Sequence, residues 1–374
     1  METKQQMMKM LNLSAISKER KLEIFLYAVA AIVILGVYFY YNRQITKKNT
    51  EITGMTDTLA KIPMQMHGIN GLDTMYQYRL RDYYIASSYN SCCAGQFLDD
   101  YVSLEALGNV LKRGARLVDF EIYSYGGQAV VAASPSSSYD FKGTYNCLPI
   151  GQVFSTVKGY AFSGQAPNPH DPLFIHLRVK SNNLDIYKQL AKSLGSTFSN
   201  LLAQGNAEYA NESNGENITA KPLIDFIGKT IIICDNRNTN FRNTPLEELI
   251  NITSSSQFLR GLRNYNVQYT PDMDGLITYN KKNMSLVMPD LSSLNANQNA
   301  ALQQKYGCQM TLMNYQNLDT NLEYYFKFFA SSAFVLKPKA LRYVPVAMKP
   351  PDKQTRAVSY EPRNITMPQF KANI

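Results

Sequence analysis

From Ile24 to Tyr41 the chain carries no charged side chain, reading Ile-Phe-Leu-Tyr-Ala-Val-Ala-Ala-Ile-Val-Ile-Leu-Gly-Val-Tyr-Phe-Tyr-Tyr. As a helix rising about 1.5 Å per residue, this stretch covers roughly 27 Å, close to the hydrocarbon thickness of a bilayer. Tyr27 near one end and Tyr38, Tyr40 and Tyr41 at the other suit the interfaces, where a ring can meet lipid and water at once. The pattern predicts a single transmembrane helix over 24–41. A cleaved signal peptide would have a shorter apolar run followed by small residues, whereas Tyr-Tyr-Asn-Arg follows here. Lys4, Lys9, Lys18, Arg20 and Lys21 precede the segment, and almost as many cations follow it. The count leans slightly toward a cytoplasmic amino terminus and a lumenal or external remainder.

Beyond a polar amino-terminal segment (1–23) and this helix, residues 42–80 read as a polar tether with a short helical piece. Apolar, β-branched runs then recur at Tyr83–Ser87, Arg116–Tyr123, Ala129–Ala133, Leu173–Val179 and Thr230–Cys234. Three more follow at Met284–Met288, Gln309–Tyr315 and Ala333–Leu336. Helical patterns separate most of them, near Leu104–Lys112, Ile150–Ala161, Asn183–Ala203, Leu246–Asn251, Asn295–Lys305 and Leu322–Phe329. Strands alternating with helices predict an α/β domain with a parallel sheet, and eight of them over 81–345 favour a closed TIM (β/α)8 barrel. No glycine-rich phosphate loop follows the first strand, which argues against a doubly wound open sheet. Gln204–Ala220 reads as a surface loop and 346–374 as an extended tail.

Composition narrows the chemistry. The formal charge of +9 suits an anionic surface, but no Lys/Arg run of the kind that binds nucleic acid occurs. With an apolar helix present, the membrane and its anionic headgroups are the expected partners, with an unknown protein partner beside them and no nucleic acid. Only three histidines, His67, His170 and His176, are available for acid–base work. The five cysteines have no metal-binding spacing and read as buried or idle thiols, with one disulfide left open. Five sequons begin at Asn211, Asn217, Asn251, Asn283 and Asn364. In an asparagine-rich chain they support a lumenal domain weakly.

Several segments, in order, carry a family resemblance. Tyr84-Ile-Ala-Ser-Ser-Tyr-Asn-Ser-Cys-Cys-Ala-Gly-Gln96 and Lys112-Arg-Gly-Ala-Arg-Leu-Val-Asp-Phe-Glu-Ile-Tyr123 are followed by Phe154–Phe162 with Pro172–Val179. Lys221–Ile233, Gly307–Asp319 and Phe334–Arg342 complete the set. Together they resemble the X-box and Y-box of phosphoinositide-specific phospholipase C, over about residues 82–343. The resemblance implies a phospholipase C-like barrel whose members cleave a phosphodiester with two histidines and a bound Ca2+.

Residue by residue, the resemblance also implies a degenerate site. At the histidine positions stand Tyr89, a poor proton shuttle near neutral pH, and Ala133, which has no proton chemistry. Asn90, Asp119 and Glu121 occupy three calcium-ligand positions, and Arg178 stands at the fourth. An arginine there would bridge the two acids by forked hydrogen bonds and disfavour Ca2+ by like charge. Leu286 and Met288 replace the arginine and the aromatic ring that would meet the substrate, and the lysines expected after Thr230–Cys234 are absent. His176 and Arg178 are the fallback catalytic candidates. A Ser–His–Asp set can be written from Ser87, His176 and Asp119, with nothing in the spacing to single it out.

The expectation is a membrane-anchored phospholipase C-like pseudoenzyme with a structural, headgroup-binding or partner-docking role. No cofactor is expected, and Ca2+ enters only if the remnant site works. The alternatives are an active phosphoric diester hydrolase with altered residues, and a virion or other assembly component in a viral membrane. The Asn-, Tyr- and Ile-rich composition is compatible with the last of these.

Overall fold

The computed structural model describes residues 17–139, 142–202, 217–344 and 362–373. Its first element, helix α1, runs from Lys18 to Lys61. Between Leu22 and Tyr41 its large apolar side chains are exposed on every face, Phe25, Tyr27, Ile32 and Phe39 among them. Among the described residues it is the one helix long and apolar enough to cross a membrane.

Helix α1 does not stop where the apolar stretch ends. Residues 42–61, expected as the start of a tether, continue it without a break. The reason is a second helical stripe: Ile52, Met55 and Leu59 share one face and are buried against the following domain. Polar contacts pin the same stretch. Asn109 Nδ2 donates to Thr56 Oγ1 at 2.7 Å, Lys47 pairs with buried Asp100 at 3.0 Å, and Arg113 Nη1 caps the Ile62 carbonyl at 2.9 Å.

The domain then follows as β1 (Tyr83–Ser88), α2 (Leu104–Lys112), β2 (Leu117–Tyr125), β3 (Gln128–Ala132), β4 (Leu148–Pro149) and α3 (Ile150–Ala161). Next come β5 (Leu173–Lys180), α4 (Leu184–Thr197), β6 (Thr230–Asp235), β7 (Ile252–Ser254) and β8 (Leu259–Arg263). The last part holds α5 (Asn264–Gln268), α6 (Met273–Lys282), β9 (Met284–Met288), α7 (Ala300–Lys305), β10 (Met310–Met313), α8 (Thr320–Phe328) and β11 (Phe334–Leu336). Eight strands are parallel staves in the order β7-β6-β5-β2-β1-β10-β9-β8. Because β7 and β8 are joined by residues 255–258 and no ladder links them, the result is a nearly closed (β/α)8 barrel. Staves β1, β6 and β9 are buried at every position, as strands covered on both faces must be, which is why they read as unbroken apolar runs.

Two of the expected eight staves are different strands. Ala129–Ala133 corresponds to β3, which folds back antiparallel on β2 through the Gly126-Gly127 turn, both glycines at positive φ. Ala333–Leu336 corresponds to β11, which pairs antiparallel with β1. Their places in the barrel are taken by β7 and β8. The first is only three residues long, and the second reads Leu-Arg-Gly-Leu-Arg, so neither shows an apolar run. In β8 the charge is tolerated because Arg260 lies over the Tyr279 ring at 3.8 Å and Arg263 donates to the Pro289 carbonyl at 2.6 Å. The helix expected at Leu246–Asn251 is a single 3-10 turn, Glu247–Leu249.

All five cysteines are free thiols, and all but Cys147 are buried. Asn251, the third sequon residue, is buried at 1% exposure with its side-chain Oδ1 accepting from the Ile232 N–H at 2.8 Å, so that sequon is not open to modification in the folded chain. The first, at Asn211, and most of the loop expected at 204–220 lie outside the described residues. So does most of the expected tail; within it, Asn364–Met367 and Phe370–Asn373 form a separate antiparallel hairpin.

Candidate functional site

Staves β2 and β5 lie side by side in a register that sets Asp119 opposite His176 and Glu121 opposite Arg178. Asp119 and Glu121 are two apart on β2, so both side chains project from the same face, as do His176 and Arg178 on β5. All four are buried. Asn90 enters from the turn after β1 at φ 39°, a left-handed conformation that asparagine tolerates better than most residues.

Arg178 is the hub. Its Nε donates to Asp119 Oδ1 at 2.8 Å, and its Nη2 donates to Asp119 Oδ2 at 2.6 Å and to Asn90 Oδ1 at 2.7 Å. Nη1 donates to Glu121 Oε1. The Tyr89 ring covers the guanidinium at 4.7 Å. The remaining carboxylate valences are also filled. Asp119 Oδ2 accepts from the Asn90 backbone N–H at 3.0 Å, and Glu121 Oε2 accepts from the Tyr123 hydroxyl at 2.9 Å and the Ser134 N–H at 3.0 Å. His176 Nδ1 meets Asp119 Oδ1 at 2.7 Å, and its Nε2 meets Ser254 Oγ at 2.9 Å.

The electrostatics follow from this geometry. Burial alone would raise the Asp119 carboxyl, but the Arg178 charge and the hydrogen bonds from His176 and Arg178 outweigh it and hold the group well below the usual carboxylate range. Burial likewise works against the guanidinium, yet Asp119, Tyr89 and Glu121 keep Arg178 firmly protonated. Burial, then the Glu121 charge, push the Tyr123 phenol well up, so it stays a donor. Because Asp119 is ionised it can only accept, which places the His176 proton on Nδ1. One cation thus faces two carboxylates, all dry and all hydrogen-bonded.

The other expected positions fall as follows. The Tyr89 hydroxyl accepts from Arg263 Nη1 at 3.2 Å, and its ring packs edge-on against Phe97 at 5.6 Å. Ala133 is buried just past the end of β3, its carbonyl accepting from Gly143 N–H at 2.9 Å. Leu286 and Met288 are buried in the main core. His67 and His170 are exposed and far from the cluster in partners: His67 N–H donates to Ser331 O. After β6, Arg237 grips Asp235 with both Nε and Nη2.

Ser87 is not the serine that meets His176. Its hydroxyl donates to Ile85 O at 2.7 Å. Ser254 takes that place, and it escaped notice because β7 has no strand pattern. Tyr123 and Ser134 were also missed. Tyr123 was findable, since it lies two residues beyond Glu121 on the same face.

Residues 76–233 match the family described as phosphatidylinositol-specific phospholipase C, X domain. The match covers less than half of the chain, and over those residues the barrel is phospholipase C-like. The Saccharomyces cerevisiae protein 1-phosphatidylinositol 4,5-bisphosphate phosphodiesterase 1 is 28% identical over 145 residues, 39% of this chain and 15% of that protein. Among solved structures, PLC21 of S. officinalis aligns with a TM-score of 0.59 at 17% identity, covering 75% of this chain and 39% of that one. PLC21 of L. pealei gives 0.58 at 17% identity, covering 75% and 40%. The chain therefore spans well under half the length of these relatives, and the structural likeness speaks for the fold.

Proposed function

We propose that the chain is a membrane-held phospholipase C-like barrel that does not turn over phosphodiesters and acts as a binding scaffold at the bilayer surface. The observation that carries this reading is the Arg178 fork. A hard cation such as Ca2+ takes about six to eight oxygen ligands. At the positions that the resemblance assigns to it, the Asp119 and Glu121 oxygens and Asn90 Oδ1 all accept hydrogen bonds, most of them from a fixed guanidinium. These residues do not fit a divalent cation while Arg178 lies among them. A covalent positive charge stands in the metal's place, and no histidine stands at either acid–base position. Fold alone does not bring the activity back.

Calorimetric titration of the full chain in detergent with Ca2+, and then with a soluble inositol phosphate, tests this. Silence with Ca2+ is expected. A saturable Ca2+ isotherm abolished by Asp119→Asn would overturn the reading.

One observation favours a hydrolytic alternative: Ser254, His176 and Asp119 are linked in the order of a nucleophile, a base and its orienting acid. Against it, Ser254 is 1% exposed. His176→Ala abolishing a measured phosphodiesterase activity would establish that alternative.

A further inference from the structure

Where α1 leaves the apolar stretch and meets the barrel, two carboxyl groups share one lysine. Glu51 Oε1 faces Lys47 Nζ at 3.8 Å, whereas Glu51 Oε2 is enclosed with no hydrogen-bond donor among the described residues. Beside Oε2 lies another carboxyl oxygen. A Cβ on Gly95 would collide with both Glu51 Oε2 and Asp100 Oδ2, so the two oxygens flank the same bare backbone atom. Asp100 already accepts at both oxygens. Its Oδ2 takes Lys47 Nζ and the Gln96 N–H, each at 3.0 Å, and its Oδ1 takes the Tyr101 N–H at 2.9 Å. The contact closes only when Glu51 carries a proton and donates it to Asp100.

The titratable groups around this pair are few. Lys47 faces it from α1, Tyr101 from the loop after β1, and Tyr145 faces Lys47 from the next loop. With Glu51 neutral, the charges of Lys47 and Asp100 balance. With Glu51 ionised, a second anion is left in the interface beside the first. Burial, then Asp100, hold the Glu51 carboxyl up at about 8, so the contact is firm at acidic pH and weakens as pH rises toward that value.

Three residues further along α1 stands Gly54, inside the helix and with nothing within 4 Å of where its Cβ would be. No packing requires a glycine there, and a glycine in a helix interior is its most pliable position. It divides two sets of contacts. Beyond it, Met55 and Leu59 are buried, Thr56 accepts from Asn109, and Arg113 caps the Ile62 carbonyl. Before it, the helix is held by Ile52, by Lys47 on Asp100 and the Asp99 carbonyl, and by the Glu51 contact. A cleft of about 440 Å³ runs alongside, lined by Glu51, Gly54 and Met55 on one side and Gly95, Gln96 and Gln316 on the other. Water can therefore reach the proton, and the helix has room to part from the barrel.

We propose that Lys47, Glu51 and Asp100 form a proton-operated latch and that Gly54 is the hinge it controls. While Glu51 holds its proton, the barrel is fixed to the membrane helix at one angle. Ionisation frees residues 42–53 from the barrel, which then tilts at the bilayer surface about Gly54. The proposal rests on the reading of α1 as the membrane anchor.

The test is pulsed electron paramagnetic resonance on the full chain in phosphatidylcholine nanodiscs, with spin labels at Ile45→Cys and Lys192→Cys. Both positions are exposed, and Cys147→Ser removes the one native thiol that is not buried. A narrow distance distribution is expected at pH 5 and an added broad population at pH 9. The ratio of open to docked chains should rise by up to about tenfold per pH unit between about 4.5 and 8, then level off. Glu51→Gln, always neutral, should stay narrow throughout. Gly54→Ala should cut the broad population at pH 9 about fivefold. A distribution unchanged from pH 5 to 9, or one that changes equally in Glu51→Gln, would overturn the latch. Broadening undiminished in Gly54→Ala would overturn the hinge. A reference pair on the barrel, Lys192→Cys with Lys305→Cys, should stay narrow; its broadening in step would mean general loosening and would also overturn the latch. Loss of the chain from the discs would instead refute the anchor, a failure that leaves the distances within the chain readable.

Discussion

Replacing Arg178 by methionine keeps most of the side chain's bulk and removes its charge. Four hydrogen bonds vanish: two to Asp119, one to Glu121 and one to Asn90. Both carboxylates stay buried at 0% exposure, so water cannot replace what is lost. Removing one partner of a buried ion pair costs about 3–5 kcal/mol. Two anions are stranded here, but His176, the Asn90 N–H, Tyr123 and Ser134 still donate to them, which keeps the expected loss within that range. For a domain of this size the loss corresponds to a fall in Tm of roughly 6–20 °C.

The sign of the pH dependence is fixed by Asp119. Its folded pKa is depressed, so in the wild type it contributes stability above the unfolded carboxylate pKa that is lost as pH falls toward the folded value. The variant lacks most of that contribution, so its deficit should be largest near neutrality and shrink at about pH 4 and below. Thermal unfolding of the full chain in detergent, followed by circular dichroism at several pH values, reads both effects. Adding Asp119→Asn and Glu121→Gln to Arg178→Met should recover part of the loss. A single variant within about 1 kcal/mol of wild type at neutral pH would refute the reasoning, because it would mean that the buried fork carries no net stabilisation.

Three further outcomes follow from other parts of the molecule. Gly114 has φ 78°, and a Cβ there would lie 2.1 Å from Met66 Sδ, so Gly114→Ala should cost about 1–3 kcal/mol in the same unfolding assay. Lys337 is buried with its ammonium donating to Asn280 O, and burial lowers its pKa to about 7. Its folded value lies below the unfolded one, so wild-type stability should rise from about pH 7 toward pH 10, by up to about 1.4 kcal/mol per unit, and Lys337→Met should flatten that slope. Glu51 of α1 is pushed up to about 8 by burial and by Asp100 beside it. Stability of the α1–barrel contact should therefore fall as pH rises from about 4.5 to 8, and hydrogen exchange in residues 47–59 should show that fall in the wild type but not in Glu51→Gln.

The sequence was most readable where burial and chemistry coincide. β1, β5, β6 and β9 announced themselves as apolar runs because both faces of a parallel stave are covered. The Asp119, Glu121 and Arg178 positions were implied by the family resemblance, and a strand's period of two added only that the two acids share a face. β7 and β8 were not, since short staves whose ends carry serine, glycine and arginine have no local apolar signal. β3 and β11 were mistaken for staves because an antiparallel flap has the same composition as a parallel strand, and pairing direction is not a local property. The continuation of α1 past Tyr41 was hidden for another reason. Its buried face of Ile52, Met55 and Leu59 is dilute, and only the domain it packs against makes it visible. Ser254 was lost with β7, whereas Tyr123 lay in plain view beyond Glu121.

The central claim is that Arg178 has replaced the cation and that the barrel no longer cleaves phosphodiesters. The most direct measurement incubates the full chain in phosphatidylinositol-containing vesicles with Ca2+ and follows soluble inositol phosphate release. No release above protein-free vesicles is expected, with or without Ca2+. Release that requires Ca2+ and disappears with Asp119→Asn would contradict the claim.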